Sequence, residues 1–352
     1  MKRNVEIEPA WRDMLRQAIA EQAFPGAVLC VGSGKGVLAT VVAGWHTYER
    51  QRETRAADLF DLASLTKVVG TTTAAMRLHG RGQLDLAAPV AELMPDFAAP
   101  GVTVAHLLAH ASGLPAYVPF HREPAGSPAE QRARVLATPL ATLPGQQTLY
   151  SDIGMMVLGY LLADVTGLAL DKLVQAEVCA PLGMAETRFC PSADLFTRCV
   201  PTECGADGIP RQGAVHDENA AWLGGVAGHA GLFAPAADLA RLAVCLLRGG
   251  ESVFVPDTLA RFNRPAEIVP GSSRCLGWDG VGENCSGGRL LGPHAYGHTG
   301  FTGTSLWIDP DQDRFVILLT NAVHPQRQDK ASRFFPWRRR IHETVCQSLD
   351  IS

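Results

Sequence analysis

The sequence predicts an α+β fold: an antiparallel sheet built from both ends of the chain, with a helical lobe inserted between them. Three observations predict it. β-rich runs lie near both termini, a Pro- and Ala-rich block with helical patches separates them, and two tight turns join neighbouring runs as hairpins. Residues 8–22 read as an opening amphipathic helix. Two runs follow, Ala27 to Gly32 and Val37 to Gly44, parted by Ser-Gly-Lys-Gly, which is hairpin spacing. A third run, Leu59 to Leu62, leads into a helical stretch from Ser64 to about Leu84. The block from about 86 to 220 contains a helix over Leu158 to Val178, stopped by Pro181-Leu182-Gly183. Thr304 to Ile308 and Arg314 to Thr320 then form strands around an Asp-Pro-Asp turn, and a last helix covers about 330–348. One catalytic domain over 1–352 is expected. Its α/β lobe takes about 1–85 and 225–352, and its helical lobe about 86–224. A small-molecule site would lie in the crevice between the lobes.

Composition narrows the function. Of 352 residues, 47% are hydrophobic and 19% charged, with a formal net charge of −4. That supports a large core and offers no basic footprint for nucleic acid or an acidic membrane. Nine cysteines, none at C-x-x-C spacing, read as free thiols of a reducing compartment. The N-terminus carries no apolar stretch of signal-peptide length, and Met155 to Ala163 is too short to span a bilayer, so a cytoplasmic protein is expected. The Gly32-Ser33-Gly34-Lys35-Gly36 stretch lacks P-loop spacing and precedes a strand, so no nucleotide is expected.

Three motifs carry chemistry. Ser64-Leu65-Thr66-Lys67 places a hydroxyl and an amine three apart, on one face if it opens a helix. A serine becomes a nucleophile when a neighbour takes its proton, and an amine can do so if burial and nearby cations lower its pKa. With five lysines and fourteen serines, random placement gives about 0.2 such matches. The plain alternative is a capping serine and a solvated lysine, but the run after Lys67 looks buried all round. Tyr150-Ser151-Asp152 precedes a helix-like stretch, with Ser151 or Asp152 as N-cap; alone it reads as a hydrophobic staple. Gly297-His298-Thr299-Gly300, followed by Phe301-Thr302-Gly303, leads into a strand and alone reads as a bulge.

Together, in this order, the three motifs resemble those of the penicillin-recognising serine hydrolases, in the branch of class C β-lactamases, D-amino-acid peptidases and related esterases. The resemblance covers roughly residues 20–348. It extends to Phe60-Asp61-Leu62-Ala63, to Val104 through Pro115, and to Asp238-Leu239-Ala240. It implies a β-lactamase/transpeptidase-like fold, a three-layer α/β/α sandwich. It implies that Ser64 is acylated, that Lys67 is its proton partner, and that Tyr150 relays a proton to the leaving group. The backbone N–H groups of Ser64 and Phe301 would form the oxyanion hole, with His298, Thr299 and Gly300 facing the substrate. No cofactor is implied.

Two positions depart from the family's usual pattern. His298 stands where lysine is common, and a histidine is cationic only part of the time near neutral pH. Asp152 stands where asparagine is usual, and an ionised carboxylate cannot donate to a substrate amide. Both favour a carboxylesterase or D-peptidase over a true β-lactamase. The expected substrate is a small ester, an amide or a muropeptide-like molecule. The alternative is a penicillin-type sensor that is acylated without turnover.

His106 and His110 have helical zinc spacing but lack a third ligand, so no metal is expected. The stretch Gly224 to Phe233 reads as a glycine turn entering a buried helix. It also admits a place beside the cleft for His216, Asp217 and His229, and His229 is retained as a candidate. Trp337 with Arg338, Arg339 and Arg340 reads as a solvated helix face with one packing aromatic.

Overall fold

The two ends of the chain meet in one sheet. A computed structural model describes residues 4–350 apart from Asn284 and Asp329. The strands are β1 (Gly26–Ser33), β2 (Gly36–Gly44), β3 (Phe60–Asp61), β4 (Arg188–Phe189), β5 (Leu232–Ala234), β6 (Asp279–Gly280), β7 (Tyr296–Thr299), β8 (Ser305–Asp309) and β9 (Arg314–Thr320). Six of them form an antiparallel sheet in the order β2-β1-β9-β8-β7-β6. N-terminal β1 pairs with C-terminal β9, from Ala27 opposite Thr320 to Gly32 opposite Phe315.

Alternation along these two strands explains the layers. Val28 and Cys30 of β1, with Phe315, Ile317 and Leu319 of β9, face one core. Ala27, Leu29 and Val31, with Val316 and Leu318, face the other. A strand buried on both faces needs helices on both sides. On the first face lies the helix Ala236–Leu247, through Leu239, Leu242 and Ala243. On the second lie the opening helix, Asn4–Ala20, and the last helix, Lys330–Asp350, through Trp11, Leu15, Phe334 and Ile341. The α/β/α sandwich follows.

The short strand before the serine joins a separate sheet, β3-β5-β4. Two local expectations change. The stretch read as one helix over 158–178 is broken. The helix Asp152–Thr166 ends on Gly167, left-handed at φ 68°, and Leu170–Val174 restarts the chain direction. The glycine run from Gly224 enters β5 before any helix begins. No single helix among the described residues is long and apolar enough to cross a membrane.

Candidate active site

The serine sits at the end of β3, on a tight turn. Leu62 N–H bonds the Leu232 carbonyl at 2.9 Å, and Ala63 adopts a left-handed φ of 45°. A non-glycine residue there carries a steric cost that local hydrogen bonds must offset. Single-turn bonds then close from Leu65, Thr66 and Lys67 back to Leu62, Ala63 and Ser64. The expected simple helix from Ser64 to Leu84 is replaced by a π-helical turn, Lys67–Thr72, and an α-helix, Thr73–Gly80. Thr73 Oγ1 bonds the Val68 carbonyl at 2.6 Å, and Thr71 Oγ1 leaves the helix for the Gly228 carbonyl at 2.7 Å. Side chains thus draw on the backbone acceptors where the helix widens.

Lys67 is 0% exposed. Its ammonium reaches three oxygens: Ser64 Oγ at 2.8 Å, Asp152 Oδ1 at 2.7 Å and the His229 carbonyl at 3.1 Å. The expectation of a lowered lysine pKa is therefore reversed. Burial pulls it down, but the Asp152 carboxylate and the Tyr150 phenol more than offset this, and the net shift is upward. Asp152 itself is engaged by Lys67, where the sequence suggested a group facing substrate.

Tyr150 lies over Lys67, whose Nζ is 4.9 Å from the ring centroid. Its phenol is within hydrogen-bonding reach of Lys67 and Ser64. Burial raises the phenol pKa, Lys67 opposes this and Asp152 adds to it, so the resting phenol keeps its proton. The loop that presents Tyr150 is fixed by the segment 110–116. Leu149 N–H bonds the His110 carbonyl, Ser151 N–H donates to His110 Nδ1 at 3.1 Å, and Asp152 N–H bonds the Ala116 carbonyl. Ser151 is the N-cap, accepting from Gly154 N–H at 3.0 Å. His110 is thereby a structural acceptor, and His106 completes a capping box with Thr103. Among the described residues no group of three His, Cys, Asp or Glu could hold a metal.

The far wall is the end of β7. Gly300 has to be glycine, because a Cβ there would strike Thr304 Oγ1 and the Leu62 carbonyl. This close approach brings the Phe301 turn against the Ser64 turn. Neither the Ser64 N–H nor the Phe301 N–H donates a hydrogen bond among the described residues. His298 is 2% exposed; its Nδ1 bonds the Thr299 carbonyl at 2.8 Å, and its Nε2 has no partner among the described residues. Burial lowers its pKa to about 4, with Arg274 and Lys67 adding to the effect and Asp279 opposing it. A partly cationic His298 was expected; the imidazole is neutral.

A cation on this wall is Arg274, which belongs to no sequence motif. Its guanidinium lies 5.6 Å from the Tyr150 ring centroid and pairs with Asp279 of β6. The pairing of β6 with β7, Asp279 opposite Gly297, delivers it next to His298. The Gly224–Phe233 stretch passes beside Lys67. The His229 carbonyl holds Lys67, and its Nε2 meets Asp217 Oδ1 at 2.8 Å. His229 is the chief influence holding the Asp217 carboxyl well below its usual range, against the opposite pull of burial. His216 stacks on the Phe301 ring, centroids 5.6 Å apart at 22°.

Comparisons with known proteins give the family. The Beta-lactamase family model matches residues 11–335. An N-acetylmuramyl-L-alanine amidase of Bacillus subtilis (strain 168) is 34% identical, over 88% of this chain and 80% of that protein. A Salmonella agona (strain SL483) protein, provisionally named a D-alanyl-D-alanine carboxypeptidase, is 34% identical over 76% of this chain and 70% of its own length. Among solved structures, EstCE1, a hydrolase with promiscuous acyltransferase activity, superposes with a TM-score of 0.78 at 23% identity, covering 97% of this chain and 99% of that one. The family match spans most of the sequence, so the chain belongs to the Beta-lactamase family and is a serine hydrolase.

Proposed function

We propose that the protein hydrolyses small amides whose leaving half carries a free carboxylate, of the kind found in muropeptide fragments, through an acyl-Ser64 intermediate. The observation that carries this reading is the joint placement of Ser64, Lys67 and Tyr150 with Arg274 beside them. The names of the amidase and carboxypeptidase relatives both specify bonds to alanine, which supports the same class.

The chemistry follows from the resting charges. Ser64 Oγ attacks the scissile carbonyl, and the oxygen's developing charge meets the Ser64 and Phe301 N–H groups. The Ser64 proton passes to Tyr150 Oη as the Tyr150 proton passes to the leaving nitrogen. Tyr150 thus ends neutral, and no free phenolate accumulates. Lys67 stays an ammonium, stabilising the negative charge that passes between Ser64 and Tyr150. Water then attacks the acyl-enzyme, its proton passes through Tyr150 back to Ser64 Oγ, and the acid leaves. Arg274 holds the carboxylate of the leaving amino acid, since His298 is uncharged. His298 and Thr299 line that pocket as neutral groups. Residues 1–352 act as one catalytic unit in this reading. The nine cysteines, all free, support a reducing compartment such as the cytoplasm.

The test is steady-state hydrolysis of N-acetylmuramyl-L-alanine, an N-acyl-D-Ala-D-Ala peptide and p-nitrophenyl butyrate, beside Ser64→Ala. Turnover of a carboxylate-bearing amide by the wild type alone is the expected result. Accumulation of acyl-enzyme without product would replace the hydrolase reading by the sensor.

A further inference from the structure

The mechanism makes no use of Asp61, yet this carboxylate is 2% exposed and lies beside the nucleophile. No Lys or Arg side chain forms an ion pair with it among the described residues. Its acceptors are spent on the two turns that build the site. Oδ1 accepts from the Ala63 N–H at 2.8 Å, one residue before Ser64 and at the strained left-handed position. Oδ2 accepts from the His216 N–H at 2.6 Å, and the His216 ring stacks on Phe301. Its main-chain carbonyl accepts from Thr302 Oγ1 at 2.7 Å, one residue after Phe301. The next carbonyl, Leu62, accepts from Thr304 Oγ1 at 3.1 Å.

From these contacts we infer that Asp61 is the positioning residue of the oxyanion pocket, holding the Ser64 turn and the Phe301 turn in one register so that both N–H groups converge on the same oxygen. The inference rests on the reading that Ser64 is acylated and that these two N–H groups receive the oxyanion. The residue type supports it. Two separate backbone donors, from Ala63 and His216, need an acceptor each. An ionised carboxylate offers two, whereas an asparagine offers one acceptor and one donor, and a hydroxyl a single oxygen. Burial makes the carboxylate a costly choice here, raising its pKa to about 6 although the Ala63 and His216 N–H bonds lower it. Lys330 adds a second hold on the Phe301 turn, donating to the Phe301 carbonyl at 2.6 Å with its Nζ 3.3 Å from the ring centroid.

The experiment compares Asp61→Asn, Thr302→Val and Ser64→Ala with the wild type. Active sites are counted by fluorophosphonate titration, so that misfolded protein drops out of the comparison. For Asp61→Asn the expected result is a kcat per titrated site lower by about tenfold to a hundredfold, the scale of a misplaced oxyanion donor. KM should stay within about threefold, because ground-state binding is untouched. Inhibition by phenylboronic acid, which forms a tetrahedral adduct on serine, should weaken in proportion to kcat, while a non-covalent product such as N-acetyl-D-alanine keeps its affinity. A per-site kcat and a boronate affinity both within about twofold of wild type would overturn the inference. If Asp61→Asn yields no folded protein, Thr302→Val decides by the same two readouts, with a smaller loss expected. A Ser64→Ala variant that still turns over substrate removes the nucleophile reading itself. An inert Ser64→Ala beside an unimpaired Asp61→Asn removes only the role of Asp61.

Discussion

Lys67 and His298 face the same cleft from opposite walls, and both are enclosed, at 0% and 2% exposure. Their charges nevertheless differ. Lys67 has a carboxylate at 2.7 Å and stays an ammonium; His298 has a carbonyl on one nitrogen and, among the described residues, no partner on the other, and stays neutral. Burial alone removes charge from a base. A directly contacting carboxylate reverses that outcome, and a carboxylate already paired with Arg274, as Asp279 is, does not. The Ser64 wall is therefore fixed as an ion pair, and the opposite wall draws its positive charge from Arg274.

The largest expected effect breaks both walls together. Ser64→Ala should cost about 10⁴-fold or more in kcat/KM, and intact-mass analysis with a fluorophosphonate should show no adduct. Next, Asp152→Asn removes the counter-charge of Lys67. A loss of about 10²-fold in kcat/KM is expected. The sign of the pH effect follows from the geometry. The carboxylate raises the lysine pKa, so its loss lets the ammonium deprotonate at lower pH. The alkaline limb of the fluorophosphonate acylation rate should then move down the pH scale; an unmoved limb would show that Asp152 does not hold the charge.

Arg274→Ala sharpens the comparison on the other wall. KM for a carboxylate-bearing amide should rise about tenfold to a hundredfold, with p-nitrophenyl butyrate hydrolysis unchanged. His298→Asn should leave the amide-to-ester preference in place, and wild-type preference should be flat from pH 5 to 8, because an imidazole at about 4 has no charge to lose there. Loss of the preference in His298→Asn but not in Arg274→Ala would exchange the two assignments.

Asp61 extends the comparison to a buried acid that has no Lys or Arg ion pair among the described residues. Its pKa is about 6 when folded, against about 3.9 unfolded. The folded state holds the proton more tightly, so this contribution favours folding at low pH and is lost as pH rises from about 4 to 6. The linkage amounts to about 3 kcal/mol. Thermal denaturation of Asp61→Asn across that window should show a flatter Tm–pH curve than the wild type; identical curves would mean that Asp61 titrates normally.

Much of the sheet was legible because its strands are long and bounded by turn residues. β3 reads as a strand, but two residues carry no pattern that says which sheet they join. The helix after Ser64 is legible and its π turn is not, because that turn depends on Thr71 bonding a carbonyl at Gly228. Ser64, Lys67 and Tyr150 were legible as motifs in order. Arg274 belongs to no motif; its ion pair with Asp279 of β6 and the Ala266 N–H bond to its carbonyl bring it to the cleft.

The sequence by itself determined the two-ended sheet, the family and the chemical groups of the Ser64 wall. These rest on local pattern, on residue type and on spacing along the chain. Only the tertiary structure decided the charges. A pKa depends on what lies within a few ångströms in space and on how much water is excluded. The contacts that matter join Lys67 to Asp152, Arg274 to the Tyr150 ring, and Asp61 to His216 and Thr302, pairs that are far apart in the chain and that no spacing rule connects.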